Sequence, residues 1–214
     1  MKYIVANWKA NKDLEQVREW LETFSKNYRQ KGDTIVIIAP SFPFLQEVVS
    51  FSKETKNIYA AAQDLSQFEE GSFTGEVTAK SLRGLVDYVI LGHSERRKNF
   101  NESNEIIAQK VELAYKYQIK TILCLDNKVD KLTREVEIVA YEPLEAIGTG
   151  NNESIENVLE FKKSLQLGNS KFLYGGSVND QNIKDYLSSD QIDGLLVGGA
   201  SLDAEQFSRI ISAV

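Results

Sequence analysis

Short apolar runs rich in β-branched residues alternate along the chain with longer segments whose apolar residues recur every three or four positions. The first pattern is typical of buried strands, and the second of helices that pack one face on a sheet. The runs predict eight strands, at residues 3–8, 34–39, 57–63, 88–91, 121–125, 136–141, 171–174 and 194–197. Seven of these runs are followed by a plausible helix. This alternation predicts an α/β protein with a parallel sheet.

The clearest helical stripe lies in residues 13–28, where Leu14, Val17, Leu21 and Phe24 recur at helical spacing. These positions share one face of a helix, which we expect to pack on the sheet. Comparable stripes occur later, at Ile106, Ile107, Val111, Leu113 and Ala114 and at Ile155, Val158, Leu159 and Leu165. We interpret all of them as core positions rather than as a cofactor-binding segment.

Eight strand–helix units favour a closed (β/α)8 TIM barrel over an open doubly wound sheet, which more often has five or six strands. The length of 214 residues suits a single domain over residues 1–214. Only residues 126–135 separate the fifth and sixth predicted strands, so we expect the fifth helix to be reduced or missing. Residues 64–76, in contrast, form a long polar loop with aromatic residues, and loops of this length are usually functional.

The amino-acid composition excludes several kinds of functional site. The chain has one histidine, His93, and one cysteine, Cys124, which excludes a structural zinc site, an iron–sulfur cluster and an internal disulfide. A net charge of −6 argues against nucleic acid or an anionic membrane as the main partner. The N-terminal apolar run is too short for a signal peptide, and no later run approaches membrane-spanning length. We expect a cytoplasmic, reduced protein.

Active sites of such barrels lie at the carboxyl ends of the strands, so the residues at those ends are the candidates. Asn7 and Lys9 close the first strand and share one face of it, although a polar pair can also simply mark where a strand leaves the core. His93 stands at the turn after the fourth strand, where a structural and a catalytic role both stay open.

Glu142 follows the sixth strand and is a candidate general base. A carboxylate at the end of an apolar strand is partly desolvated, and we expect this to raise its pKa toward the working pH. The segment after it begins with Pro143 and contains Gly148 and Gly150, which suits a loop that moves as a unit over the site.

Glycine pairs follow the last two strands, at residues 175–176 before Ser177 and at residues 198–199. Missing side chains let backbone N–H groups approach an anion closely, and a helix that starts there adds a favourable dipole. Either pair alone is most often just a turn. Together, after the seventh and eighth strands, they predict a phosphate site.

Five segments resemble the triosephosphate isomerase family. They are Asn-Trp-Lys-Ala-Asn at 7–11, Gly-His-Ser-Glu-Arg-Arg at 92–97, Tyr-Glu-Pro with Ala-Ile-Gly-Thr-Gly across 141–150, Tyr-Gly-Gly-Ser-Val at 174–178 and Leu-Val-Gly-Gly-Ala-Ser-Leu at 196–202. The segments stand in the family's order and span nearly the whole chain. The resemblance implies an aldose–ketose isomerase of glycolysis and gluconeogenesis, which interconverts dihydroxyacetone phosphate and D-glyceraldehyde 3-phosphate through an enediolate.

The resemblance also implies roles for the residues. Glu142 would abstract the proton beside the carbonyl group, and a neutral His93 would polarise the carbonyl oxygen. Lys9 and Asn7 would stabilise the enediolate, with Glu95 pairing with Lys9 to orient it. Backbone amides would hold the substrate phosphate, near Gly148, Ser177, Gly198 and Gly199. No metal and no organic cofactor are implied.

Two further expectations follow from the resemblance. The loop at residues 64–76 is similar to the one that inserts into a partner subunit in this family, so we expect a homodimer, with a tetramer as the alternative. Glu145 stands in the lid where most bacterial and eukaryotic members have tryptophan, so we expect altered hinge chemistry without loss of activity.

Two other functions are alternatives to this isomerase. A non-catalytic phosphate-ligand binder on a degenerate barrel would have lost the base or the electrophile, yet Glu142, His93, Lys9 and Asn7 are all present. Another phosphate-binding barrel enzyme is the second alternative. A metal-dependent epimerase needs a cluster of histidines and carboxylates that one histidine does not supply, and a Schiff-base aldolase needs a lysine in mid-strand.

Overall fold

The computed structural model describes residues 1–126, 135–143 and 152–214. Within them, eight parallel strands close into a barrel in chain order, and β1 pairs with both β2 and β8. The strands are β1 (Tyr3–Asn7), β2 (Ile35–Ala39), β3 (Ile58–Ala62), β4 (Tyr88–Leu91), β5 (Lys120–Leu125), β6 (Ile138–Tyr141), β7 (Lys171–Tyr174) and β8 (Gly194–Val197). The predicted barrel is confirmed, and all eight predicted strands are present.

Seven of the strands are followed by helix in the described part of the chain. The helices are α1 (Leu14–Asn27), α2 (Leu45–Glu54), α3 (Ala79–Leu82), α4 (Ser94–Phe100), α5 (Asn104–Lys116), α6 (Ile155–Ser164), α7 (Ile183–Leu187) and α8 (Ala204–Ser212). The predicted reduction of the helix between β5 and β6 falls largely on residues 127–134, which lie outside the described residues. No described helix is both long enough and apolar enough to cross a membrane.

The first helix follows the predicted stripe closely. Asp13 caps it by accepting the Gln16 N–H at 2.9 Å, while the Gln16 side chain accepts the Asp13 N–H at 3.0 Å. Val17, Leu21 and Phe24 are buried as expected, but Leu14 is 41% exposed because it lies at the edge of the stripe in the first turn. Helix α1 begins and ends one residue inside the predicted range of 13–28.

The core has two layers. Side chains that point into the barrel fill its interior, among them Val5, Ile37, Ile90 and Ile138, and those that point outward pack under the helices. Tyr3, Tyr59 and Tyr88 occupy the interior near the amino ends of the strands. Because the interior is packed, polar chemistry is confined to the ends of the barrel.

Candidate active site

A cavity of about 380 Å³ opens at the carboxyl ends of the strands. It brings together seven of the nine residues singled out from the sequence: Asn7, Lys9, His93, Glu142, Ser177, Gly198 and Gly199. Glu95 does not line the cavity but contacts Lys9, which does. Gly148, Glu145 and most of the predicted lid lie outside the described residues.

Lys9 leaves β1 in a left-handed conformation, with φ of 54°. For a residue with a side chain this backbone costs about 1–2 kcal/mol, so the surroundings must hold it. The Lys9 N–H donates to Asn7 Oδ1 at 3.1 Å, and its carbonyl accepts from Ser41 Oγ at 3.0 Å and from Gln63 Nε2 at 2.9 Å. The turn directs Lys9 Nζ to Glu95 Oε1 at 2.7 Å.

Ser41 and Gln63 are supporting residues that sequence reasoning missed. Gln63 ends the third predicted strand, and it also donates to the Ala39 carbonyl at 2.8 Å. Its position at a strand end was a usable signal, since the same argument selected Asn7 and Glu142. Ser41 offers no comparable signal, because it lies in the turn that follows β2.

His93 caps helix α4, and its Nδ1 accepts the Glu95 N–H at 3.2 Å. A ring nitrogen that accepts an N–H carries no proton, so the imidazole in this arrangement is neutral with its proton on Nε2. Glu95 Oε2 lies 3.8 Å from Nδ1, too far for a hydrogen bond. The local fold therefore presents a neutral donor, Nε2–H, toward the cavity.

The turn before His93 depends on a glycine. Gly92 has φ of 71°, a backbone conformation that side chains rarely adopt. A Cβ atom there would also lie 3.2 Å from the Cys124 carbonyl oxygen. Both constraints favour glycine, and they fix the angle at which the chain enters α4.

Glu142 is 2% exposed and lies against the beginning of α4. Its Oε1 is 3.0 Å from His93 Nε2, and its Oε2 accepts the Ser94 N–H at 2.8 Å. Burial raises the pKa of Glu142, but the neighbouring His93 and the hydrogen bonds from His93 and Ser94 lower it by more, so the pKa lies below its usual value. The predicted rise in pKa is therefore wrong for this position, because the donors outweigh desolvation.

Cys124 lies beside this carboxylate. Burial raises the pKa of its thiol well above the usual range, and the negative charge of Glu142 raises it further. Cys124 is a free, buried cysteine that stays protonated and hydrogen-bonds to Glu142.

The glycines after β7 and β8 make room for side chains as well as for a ligand. A Cβ atom at Gly175 would lie 3.1 Å from Glu142 Cγ, and one at Gly198 would lie 3.3 Å from Lys9 Cε. At Gly199 no atom lies within 4 Å of such a Cβ. The backbone therefore approaches Glu142 and Lys9 closely at two points, while Gly199 faces open space.

The fold and these contacts define a class: a (β/α)8-barrel enzyme that carries a carboxylate–imidazole pair at the carboxyl ends of its strands. The family model of triosephosphate isomerase matches residues 2–214. The chain is 39% identical to the triosephosphate isomerase of Mesomycoplasma hyopneumoniae strain 232 over 239 aligned residues, covering 98% of both chains. It is 35% identical to that of Aquifex aeolicus strain VF5, again over 98% of both. The chain therefore belongs to the triosephosphate isomerase family, and the predicted isomerase class is confirmed.

Proposed function

We propose that the isomerase reaction of this chain, the interconversion of dihydroxyacetone phosphate and D-glyceraldehyde 3-phosphate, runs through an enediolate with Glu142 as base and His93 as electrophile. One observation carries the proposal. The Glu142 carboxylate lies 3.0 Å from His93 Nε2, and both side chains line one cavity with Lys9 and Asn7. A base and a hydrogen-bond donor that share a cavity can act on neighbouring atoms of one small substrate.

Starting from dihydroxyacetone phosphate, Glu142 takes a proton from the carbon beside the carbonyl group. The electron pair of that C–H bond forms the enediolate double bond, and negative charge moves to the carbonyl oxygen. The His93 Nε2–H donates to that oxygen, and Lys9 Nζ and the Asn7 amide offset the charge. His93 gives its Nε2 proton to the former carbonyl oxygen and takes up the hydroxyl proton of the neighbouring oxygen. Glu142 then returns its proton to the former carbonyl carbon while the neighbouring C–O bond becomes the new carbonyl group, so no other reactant is consumed.

The described position of Glu142 is a resting one. Both of its oxygens are engaged, one by His93 and one by the Ser94 N–H, so the carboxylate must turn away from Ser94 to reach a substrate carbon. Turning removes the hydrogen bond that lowers its pKa, while burial continues to raise it. Glu142 therefore becomes a stronger base as it enters the reactive position.

The phosphate group occupies the other side of the cavity, near Ser177, Gly198 and Gly199. Backbone amides provide the positive end of local dipoles there, which lets a chain of net charge −6 bind a dianion. The proposed contribution of Gly148 lies outside the described residues. No metal or organic cofactor enters the proposed reaction.

A coupled assay with D-glyceraldehyde 3-phosphate tests the proposal on the wild type and on Glu142→Asp. Shortening the side chain by one methylene moves the carboxylate by about 1 Å, and we expect kcat to fall about 10²-fold. Glu156→Asp, on the exposed face of α6, is the matched control and should keep wild-type kcat. A correctly folded wild type without isomerase activity would contradict the proposal.

We further propose a homodimer formed through the loop at residues 64–76. Phe68 and Phe73 stack near its tip with ring centroids 3.9 Å apart, and each is 38% exposed. Exposed apolar surface of this kind is typical of an interaction site. Light scattering should give twice the 24.1 kDa of one chain, or four times if the tetramer forms. A mass of 24.1 kDa alone at working concentration would refute the dimer.

We also propose a single domain over residues 1–214 and a cytoplasmic location. The eight strands of one barrel extend from Tyr3 to Val197, which supports the first proposal. The place of this isomerase family in glycolysis supports the second. Limited proteolysis and cell fractionation test the two.

A further inference from the structure

The β7–α7 loop, residues 175–182, is braced by its own asparagines. Asn182 Oδ1 accepts the Asn179 N–H at 2.9 Å, and Asn179 Oδ1 accepts the N–H groups of Gln181 and Asn182 at 2.9 and 3.2 Å. The Asn182 side chain also donates to the Ser177 carbonyl at 3.0 Å. These bonds join residues 177–182 into one connected unit, so whatever holds residues 179–182 also holds Ser177.

The segment after β8 is braced by Ser201 and by helix α1. The Gly198 carbonyl accepts from Ser201 Oγ at 2.6 Å and from the Ser201 N–H at 2.8 Å. Trp20 on α1 donates its indole N–H to the Ser201 carbonyl at 3.1 Å. Gly198 is thus held by Ser201, and the Gly199 carbonyl accepts the Leu202 N–H at 3.1 Å, so both are bound to the short segment that precedes α8 in the chain.

Asp180 joins these two pieces. Its Oδ1 accepts from Gln206 Nε2 at 3.0 Å and its Oδ2 accepts from Arg209 Nε at 2.8 Å, both on α8. Gln206 itself lines the cavity, beside Ala200 and Val178. The Arg209 side chain is 57% exposed, so its ion pair contributes little, whereas the Gln206 contact is nearer the cavity.

We propose that Asp180 is a positioning residue for the phosphate subsite: through Gln206 it keeps the β7–α7 loop and α8 at the spacing in which the amides near Ser177, Gly198 and Gly199 converge on one phosphate group. The inference rests on the proposed function, because it assumes that this half of the cavity holds the substrate phosphate. It assigns no contact between Asp180 and the substrate.

The charge of Asp180 argues for such an indirect role. Hydrogen bonds from Arg209 and Gln206 lower the pKa of Asp180, so it is negatively charged at neutral pH. A carboxylate near a phosphate dianion repels it, so removing the charge alone should strengthen phosphate binding. Removing the link to Gln206 should weaken it. Loss of the charge therefore predicts tighter phosphate binding, and loss of the link to Gln206 predicts weaker phosphate binding.

Asp180→Asn and Asp180→Ala separate the two effects, because both remove the charge but only asparagine keeps an oxygen that accepts from Gln206. For Asp180→Ala we expect KM for D-glyceraldehyde 3-phosphate to rise about three- to tenfold, the scale of one hydrogen bond, with kcat changed less than about twofold. For Asp180→Asn we expect an unchanged or lower KM. Glu205→Gln makes the same change in charge at an exposed position of α8, and its KM should change as in Asp180→Asn.

Two further measurements exclude a general loss of structure. D-Glyceraldehyde lacks the phosphate group, so Asp180→Ala should leave its slow turnover unchanged, whereas a misfolded site would lose both substrates. Titration of inorganic phosphate by calorimetry reports the subsite without any reaction, and its affinity should fall by the same factor as KM rises. Gln206→Met removes the side-chain N–H group that donates to Asp180, and it should reproduce the effect of Asp180→Ala on KM and phosphate affinity.

An unchanged or lower KM and phosphate affinity in Asp180→Ala would overturn the inference, as would equal losses with glyceraldehyde and its phosphate. If the wild type lacked isomerase activity, the proposed function would fail, and phosphate calorimetry on Asp180→Ala would still decide the role of Asp180. The two failures are therefore distinguishable.

Discussion

The two halves of the cavity are built differently. On the half formed by β1, β4 and β6, the side chains of Lys9, His93 and Glu142 are held by hydrogen bonds and ion pairs to one another or to the start of α4. On the half formed by β7 and β8, glycines bring the backbone to the cavity. The first half depends on the chemical identity of each side chain, and the second on the shape and spacing of two loops.

Removing the base should have the largest effect. Glu142→Gln keeps the size of the side chain and an oxygen for the Ser94 N–H, but an amide does not accept the substrate proton. We expect kcat to fall about 10³-fold or more with little change in KM. The coupled assay measures this, with exposed Glu156→Gln as the matched control. A fall below about tenfold would show that another group is the base.

Releasing Lys9 should have the next largest effect. Glu95→Gln removes the charged partner of Lys9 Nζ while leaving the backbone N–H of residue 95 that donates to His93 Nδ1. Lys9 then loses a fixed direction but keeps its charge, so we expect kcat/KM to fall about tenfold. Glu205→Gln controls for the change in net charge. Unchanged kcat/KM would mean that the left-handed turn alone orients Lys9.

A glycine pair tests whether shape governs the second half. Gly175→Ala would place a Cβ atom 3.1 Å from Glu142 Cγ and 3.2 Å from the Tyr141 carbonyl oxygen, whereas Gly199→Ala meets nothing within 4 Å. We expect Gly175→Ala to lower kcat severalfold and to destabilise the fold by about 1–3 kcal/mol, as overpacking does. Gly199→Ala should leave the free energy of unfolding within about 0.5 kcal/mol of wild type, and it is a control for stability only, because Gly199 lines the phosphate side of the cavity. Denaturant unfolding of both variants gives the comparison of stability, and equal destabilisation would contradict it.

The sequence predicts the strands well because their apolar, β-branched runs end at polar, glycine or proline residues on both sides. It also places Asn7, His93 and Glu142 at strand ends, since the barrel topology makes those ends converge. It predicts less well what depends on local backbone detail. Asn101, with φ of 54°, separates α4 from α5, a break that the apolar pattern of the sequence does not predict.

Long-range side-chain contacts were beyond sequence reasoning. The bond between Asp180 and Gln206 joins residues 26 apart and arises only when α8 packs beside the β7–α7 loop. The direction of the Glu142 pKa failed for a related reason. The sequence shows that an apolar strand precedes Glu142, which indicates burial, but the Ser94 N–H comes from another strand end and reverses the shift.

The smallest expected effect concerns stability in acid, and it comes from the contacts of Glu142 with His93 and Ser94. A carboxylate whose folded pKa lies below its usual value of 4.5 stabilises the fold above that pH, and this contribution is lost as the pH falls through the folded pKa. Glu142→Gln has no such proton to bind. The difference in free energy of unfolding between wild type and Glu142→Gln should therefore shrink as the pH falls from about 7 to below about 4. Urea unfolding across this range measures it, with Glu156→Gln as control. A difference that grows in acid would mean that burial, and not the His93 and Ser94 donors, dominates the pKa of Glu142.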